Sequence, residues 1–249
     1  LNWTIPLSLP LEFSIIIPVC NEAGSIASLI RETAVALEGR AYEIIIVDDG
    51  STDNTRAALI GLKDEISQLR IIAHGENAGQ SRAILTGAHA ARGHIIGTLD
   101  GDGQNDPADL PELYRLLVNA PAHEKLGLVI GHRTDRKDTA WKKLGSAMAN
   151  RLRQFMLKDD CPDSACGIKV IPRNVFVSLP YFDHMHRYMP ALVRAEGLGY
   201  KLHPVRHRAR ATGQSKYDNL GRAWAGLRDL RGVLWLAQRR RKTNGAREL

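Results

Sequence analysis

The chain has few cysteines, few aromatics and no long hydrophobic run, and each shortage excludes something. Cys20, Cys161 and Cys166 are too few and too irregularly spaced for a disulfide framework or a four-ligand zinc site. They read as reduced thiols, and Cys20, which follows a β-branched run, reads as a small packed apolar side chain. No stretch reaches the roughly 18 apolar residues that a membrane span requires. Residues 1–11 lack a basic start and a long apolar segment, so no secretion signal is read there. Aromatics make up only 6% of the chain, whereas a single-stranded nucleic-acid surface interleaves aromatics with basic residues. Nucleic acid is therefore not an expected partner.

Charge leans one way. Lys and Arg number 34 against 27 Asp and Glu, a net charge of +7, which suits a phosphorylated substrate or an anionic membrane surface. The 249 residues are enough for a substantial core.

The first half alternates. Apolar β-branched runs at 13–19, 43–47, 69–72, 94–99 and 126–130 are separated by helical patterns at 25–37, 54–66 and 80–91. Runs apolar on both faces, alternating with helices, predict parallel strands covered on both sides. Ser51 and the Asp53-Asn54 pair suit helix caps, and Gly39 suits a helix stop. The second half predicts a helix at about 141–157, a loop over 159–167 and a strand at 168–171. A helix from Pro172, another near 187–198, a strand at 200–207 and a helix over 219–236 follow.

Three of the runs end in polar, acidic sequence: Asn21-Glu22, Asp48-Asp49-Gly50-Ser51, and Asp100-Gly101-Asp102-Gly103-Gln104. In an open α/β sheet, ligands bind outside the carboxyl ends of the strands, so parallel order gathers these clusters along one edge. Two carboxylates and a carboxamide at alternate positions offer hard oxygen ligands of the kind that take magnesium or manganese together with substrate phosphates.

In combination, "IIIPVCNEAGSI", "EIIIVDDGSTDNT", "NAGQSRAILTGAHAARG", "LDGDGQNDP", "VIGHR" and "RATGQSKY" resemble the motifs of family 2 glycosyltransferases. Within that family they resemble the dolichyl- and polyprenyl-phosphate sugar synthases, over about Phe13 to Trp235. The resemblance implies a GT-A fold: an α/β, Rossmann-like, mostly parallel sheet with helices on both faces. That domain would span 13–217, after an extension at 1–12 and before an amphipathic basic helix and tail at 218–249. It implies a nucleotide-sugar donor, a Mg2+ or Mn2+ cofactor and a polyprenyl phosphate acceptor. Pro18, Asn21, Glu22 and Asp49 would surround the nucleoside, Gly79 would admit the donor close to the backbone, and Arg82 would stand behind it. Asp100 would serve ribose or metal, with Asp102 and Gln104 on the cation. Asp102 and Arg133 are the expected catalytic residues. Arg133, Lys142 or Lys143, and Ser146 would contact the acceptor phosphate, and Arg210 and Lys216 would close over it. The family usually has Tyr or Phe where Cys20 stands, and more often Arg where Lys142 stands. Asp163 to Gly167 resembles a family turn near the sugar, and His184 and His186 are candidates for sugar or acceptor contact or for ordinary core and surface positions.

Relatives that glycosylate a hydroxyl generally carry a base in a Glu-Asp dipeptide, which this sequence lacks. A phosphate monoester, with a second pKa of about 6, is already anionic and needs no base. The expected reaction is inverting transfer from a UDP- or GDP-sugar to polyprenyl phosphate. The alternative is transfer to a hydroxyl with Asp183 or Asp163 as base, and a non-enzymatic basic binding module ranks below both. Leu220, Trp224, Leu227, Leu230 and Leu234 recur at helical spacing among Arg222, Arg228 and Arg231, ahead of the basic run 239–242. That helix either lies in a membrane interface or packs on the domain's own core. The expected location is cytoplasmic and peripheral, on the cytoplasmic face of the membrane.

Overall fold

The strands β1 (Phe13–Val19) and β2 (Tyr42–Asp48) are buried along their whole length, as runs of isoleucine and valine without polar alternation require. The computed structural model describes residues 11–133, 151, 153–208 and 219–240, with the backbone alone over 219–227. Around these two strands stand β3 (Leu69–Ala73), β4 (Ile95–Thr98), β5 (Leu126–Arg133), β6 (Lys169–Pro172) and β7 (Gly199–Val205). They form one sheet in the order β3-β2-β1-β4-β6-β5-β7. β3, β2, β1 and β4 run parallel to one another, and β7 runs parallel to β5. β6 is antiparallel to both β4 and β5, so the sheet is mixed at that point. A four-residue strand carries too little pattern to reveal its direction in advance.

Helices cover both faces. One core layer joins β1 and β2 side chains such as Ile15, Ile17 and Ile46 to α1 (Ile26–Ala36), α2 (Thr55–Leu62) and α4 (Leu110–Val118). The other joins Ile16, Ile45 and Val47 to α3 (Gln80–Ala90), α5 (Arg173–Ser178) and α6 (Met189–Ala195). Each fully buried isoleucine or leucine in these layers contributes about 1.5–3 kcal/mol. Residues 151 and 153–157 are helical, and the rest of the helix expected at 141–157 lies outside the described residues.

The last helix, α7 (Asn219–Arg239), docks on the second layer through Leu230 and Val233. The Tyr188 hydroxyl donates to the Gly226 carbonyl at 3.2 Å, and Trp235 remains 57% exposed. Part of the apolar stripe is therefore core. No described helix is long and apolar enough to cross a membrane.

The two cap expectations have different outcomes. Asn54 stands at the N-cap of α2 without a side-chain cap bond, and the Asp53 carboxylate before it accepts the Thr55 backbone N–H at 2.9 Å. Ser51 caps no helix: its hydroxyl accepts the Asn21 backbone N–H at 2.9 Å and ties the β1 loop to the β2 loop.

Candidate active site

The carboxyl ends of β1, β2 and β4 lie side by side, which brings the three acidic clusters to one edge. Asn21 bends the chain there in the left-handed region (φ 61°), and its side-chain oxygen accepts the Thr52 N–H at 2.7 Å. The Glu22 N–H donates to the Thr55 hydroxyl at 2.9 Å. Asn21 thus fixes the shape of the rim. Pro18 is buried in β1 behind it. Asp48 is fully buried; it accepts the Ser51 N–H at 3.0 Å and meets Arg56 at 2.8 Å. Burial raises its pKa, but the Ser51 and Arg56 contacts outweigh that and hold it below the usual carboxylate range. Cys20 is not packed away. It is partly exposed and accepts from the Asn77 amide at 3.3 Å.

Asp49 organises the loop between β3 and α3. Its two carboxylate oxygens accept the Ala78 N–H at 2.9 Å and the Gly79 N–H at 2.8 Å, and His74 Nδ1 lies 2.7 Å away. His74 Nε2 is anchored by Thr86 at 3.0 Å. Gly79 sits at φ 91°, a conformation that side chains strain to adopt, and opens α3 toward the strand ends. Arg82, one turn along, stacks over the Tyr181 ring at 3.8 Å.

The β4 loop carries the most charge. Asp100 meets the Gln80 amide at 2.7 Å, and its backbone N–H is held by Asn105 at 3.3 Å, which takes the chain out of the sheet. Burial raises the Asp100 pKa, and the negative charge of Asp102 raises it further, against the pull of Lys169 and Arg133. Asp102 accepts the Gln104 N–H at 3.1 Å. The Gln104 amide nitrogen stands 3.5 Å from both His207 Nε2 and the Arg208 carbonyl. An isolated bridge, Asn105 to His207, with Arg208 N–H to Gln104 O at 2.9 Å, joins this loop to the chain leaving β7.

Arg133, at the end of β5, forms a two-pronged pair with Asp163 at 2.7 and 2.6 Å, both side chains largely buried. The turn that follows ends in Gly167, where a Cβ would stand 2.2 Å from Asp100 Oδ2 and 2.6 Å from Asn105 Oδ1. Glycine is the residue that lets this turn press on Asp100. Lys169 is buried and donates to the Cys166 carbonyl, and burial pushes its pKa down. A cavity of about 280 Å³ opens beside Asp100, lined also by Gln80, Lys169, His186 and Arg187. Of the two candidate histidines, His186 faces this cavity, whereas His184 pairs with Asp229 of α7 at 3.0 Å.

Against known proteins, the model for "Glycosyl transferase family 2" matches residues 14–179. The chain belongs to that family. This glycosyltransferase is 33% identical over 236 residues to dodecaprenyl-phosphate galacturonate synthase from Rhizobium johnstonii, covering 90% of the chain and 67% of the relative. Among solved structures it resembles glucosyl-3-phosphoglycerate synthase from Mycobacterium tuberculosis bound to phosphoglyceric acid. There the TM-score is 0.65 at 21% identity, covering 91% of this chain and 79% of that one. The same protein with Mn2+, UDP-glucose and glycerol 3-phosphate gives a TM-score of 0.64 at 21% identity, with the same coverage. The glycosyltransferase therefore has the GT-A fold expected from its motifs.

The structure brings Pro18, Asn21, Glu22, Asp49, Gly79, Asp100, Asp102, Gln104 and Arg133 to one side of the sheet, along its strand ends and their loops. Lys142, Lys143, Ser146, Arg210 and Lys216 lie outside the described residues. Gln80, Lys169, His207 and Arg208 were not singled out from the sequence. Gln80 directly follows Gly79 in a motif, a signal that was available; Lys169 sits in a short apolar strand and gives none.

Proposed function

We propose that this glycosyltransferase moves a sugar, with inversion, from a UDP- or GDP-sugar to a polyprenyl phosphate, using a divalent cation at the cytoplasmic face of the membrane. The observation that carries the reading is Asp100 and Asp102 at the end of β4, between the glycine loop of α3 and the Arg133–Asp163 pair. The 33% identity to a dodecaprenyl-phosphate galacturonate synthase supports a lipid phosphate acceptor.

The donor set fits a cation. Asp100 and Asp102 oppose each other electrostatically, and a divalent ion relieves that repulsion. Among the described residues no three His, Cys, Asp or Glu side chains form a cage. Magnesium sites built from one or two carboxylates plus substrate phosphates have this composition. Asp100 and Asp102 would hold the ion, with the Gln104 carboxamide beside them. When bound, it supplies charge neutralisation for the departing diphosphate.

The chain's own residues do the rest. Asp49 shapes the loop that admits the donor at Gly79. Gly167 and Gln80 fix Asp100, so that its charge is oriented before substrate arrives. Arg133 brings a cation to the acceptor side, and Asp163 holds it in place. Paired in this way, Asp163 is a poor base. A phosphate acceptor needs none, so catalysis rests on alignment and electrostatics.

Incubation with a panel of UDP- and GDP-sugars, Mg2+ or Mn2+ and undecaprenyl phosphate tests the proposal. The expected product is a lipid-linked sugar of inverted anomeric configuration, found by mass spectrometry and NMR. A product with retained configuration, or transfer to free hydroxyls alone, contradicts it.

A further inference from the structure

The cavity beside Asp100 has an unusual set of polar groups. His186 is buried, and its Nδ1 lies 2.8 Å from the Ser81 hydroxyl. That hydroxyl also accepts the His186 backbone N–H at 3.4 Å, so Ser81 holds both the ring and the backbone of His186. With Nδ1 engaged by Ser81, Nε2 is the other polar edge of a ring that lines the cavity. Burial first, then the charges of Lys169 and Arg187, keep this imidazole neutral, with a pKa well below 6.5.

Arg187, the next residue, is exposed at the same wall, and its guanidinium makes no ion pair or side-chain hydrogen bond among the described residues. Lys169 adds a second cation. Against these stands one carboxylate, Asp100, which already meets Gln80. Ile84 and Met189 complete the wall with apolar surface. At about 280 Å³, against roughly 30 Å³ for a water molecule, the space suits one sugar ring.

A neutral hexose offers hydroxyls that both donate and accept. This wall is rich in donors and positive charge, and its natural complement is an acceptor-only anion. Guanidinium and carboxylate pair through two parallel hydrogen bonds. Resting on the proposed reaction, we infer that the cavity receives the sugar of the donor and that His186 and Arg187 select a hexuronosyl group by its carboxylate.

The test is calorimetry with Mg2+ present, first with UDP and GDP to find the nucleotide bound. The matching pair follows: UDP-galacturonate against UDP-galactose, or GDP-mannuronate against GDP-mannose. The uronate is expected to bind at least ~10-fold tighter. Arg187→Leu, an exposed position, should bring that ratio close to one while affinity for the bare nucleotide is unchanged. Arg187→Lys should recover part of it, since it keeps charge without the fork. Equal affinities in the wild type, or a ratio untouched by Arg187→Leu, overturn the inference and leave the proposed reaction standing. Binding of neither nucleotide overturns both.

Discussion

Arg133 and Asp163, 30 residues apart, meet in a two-pronged ion pair at 2.6 and 2.7 Å that joins the end of β5 to the turn pressing on Asp100. The Arg133 N–H also reaches the same carboxylate, at 3.3 Å. With side-chain exposures of 14% and 4%, the pair is shielded enough that losing one partner strands the other's charge. Arg133→Ala is expected to destabilise the fold by ~3 kcal/mol and to abolish transfer. Arg133→Met combined with Asp163→Leu should recover most of the stability without recovering activity. Urea unfolding beside a transfer assay separates the two effects.

Gly167→Ala tests how tightly Asp100 is held. The new methyl group would stand 2.2 Å from Asp100 Oδ2, so the carboxylate must move. A displacement of about 1 Å in a catalytic group costs up to ~100-fold, and we expect a loss of that order in kcat/KM. The melting temperature should change by only a few degrees. Unchanged activity would show that the position of Asp100 does not matter.

Asp49→Asn should weaken donor binding. Both carboxylate oxygens accept backbone N–H groups of Ala78 and Gly79, and an amide nitrogen in place of either oxygen leaves one donor facing another. An unsatisfied group of this kind costs about 1–3 kcal/mol, equivalent to at least ~5-fold in nucleotide affinity by calorimetry. Proteolysis should become faster within residues 74–79.

Much of this geometry was legible in the sequence. The β-branched runs announced strands buried on both faces, and their acidic ends announced one edge of the sheet, as β1, β2 and β4 bear out. The direction of β6 was not legible, because four residues buried mostly by neighbours carry no period. Nor was the use of Asp49, Asn21 and Ser51. Sequence shows that a polar side chain stands at a loop, but not whether it turns to a ligand or to a backbone N–H 30 residues away. The Ser81–His186 contact spans 105 residues and rests on a one-turn 3-10 segment, Met185–Arg187, with no pattern of its own.

Acid stability should depend on Glu43. Burial raises its pKa, but the Arg92 N–H, the Ser14 hydroxyl and Arg70 together bring it below the ordinary 4.5. A carboxylate depressed in the folded state adds stability above its unfolded pKa and loses it as pH falls through the folded value. The wild type should therefore be flat in stability near neutrality and fall off below about pH 4.5. Glu43→Gln should be less stable at pH 7 and shallower on the acid side, as followed by thermal unfolding against pH.

The chemistry of the acceptor tests the proposed reaction most directly. Purified protein, Mg2+ and a nucleotide-sugar that it binds should be given undecaprenyl phosphate in one reaction and undecaprenol, the same lipid without phosphate, in another. We predict sugar transfer to the phosphate alone, abolished by Asp102→Ala and by excess chelator. Transfer to undecaprenol at a comparable rate, or full activity without Asp102, would contradict it.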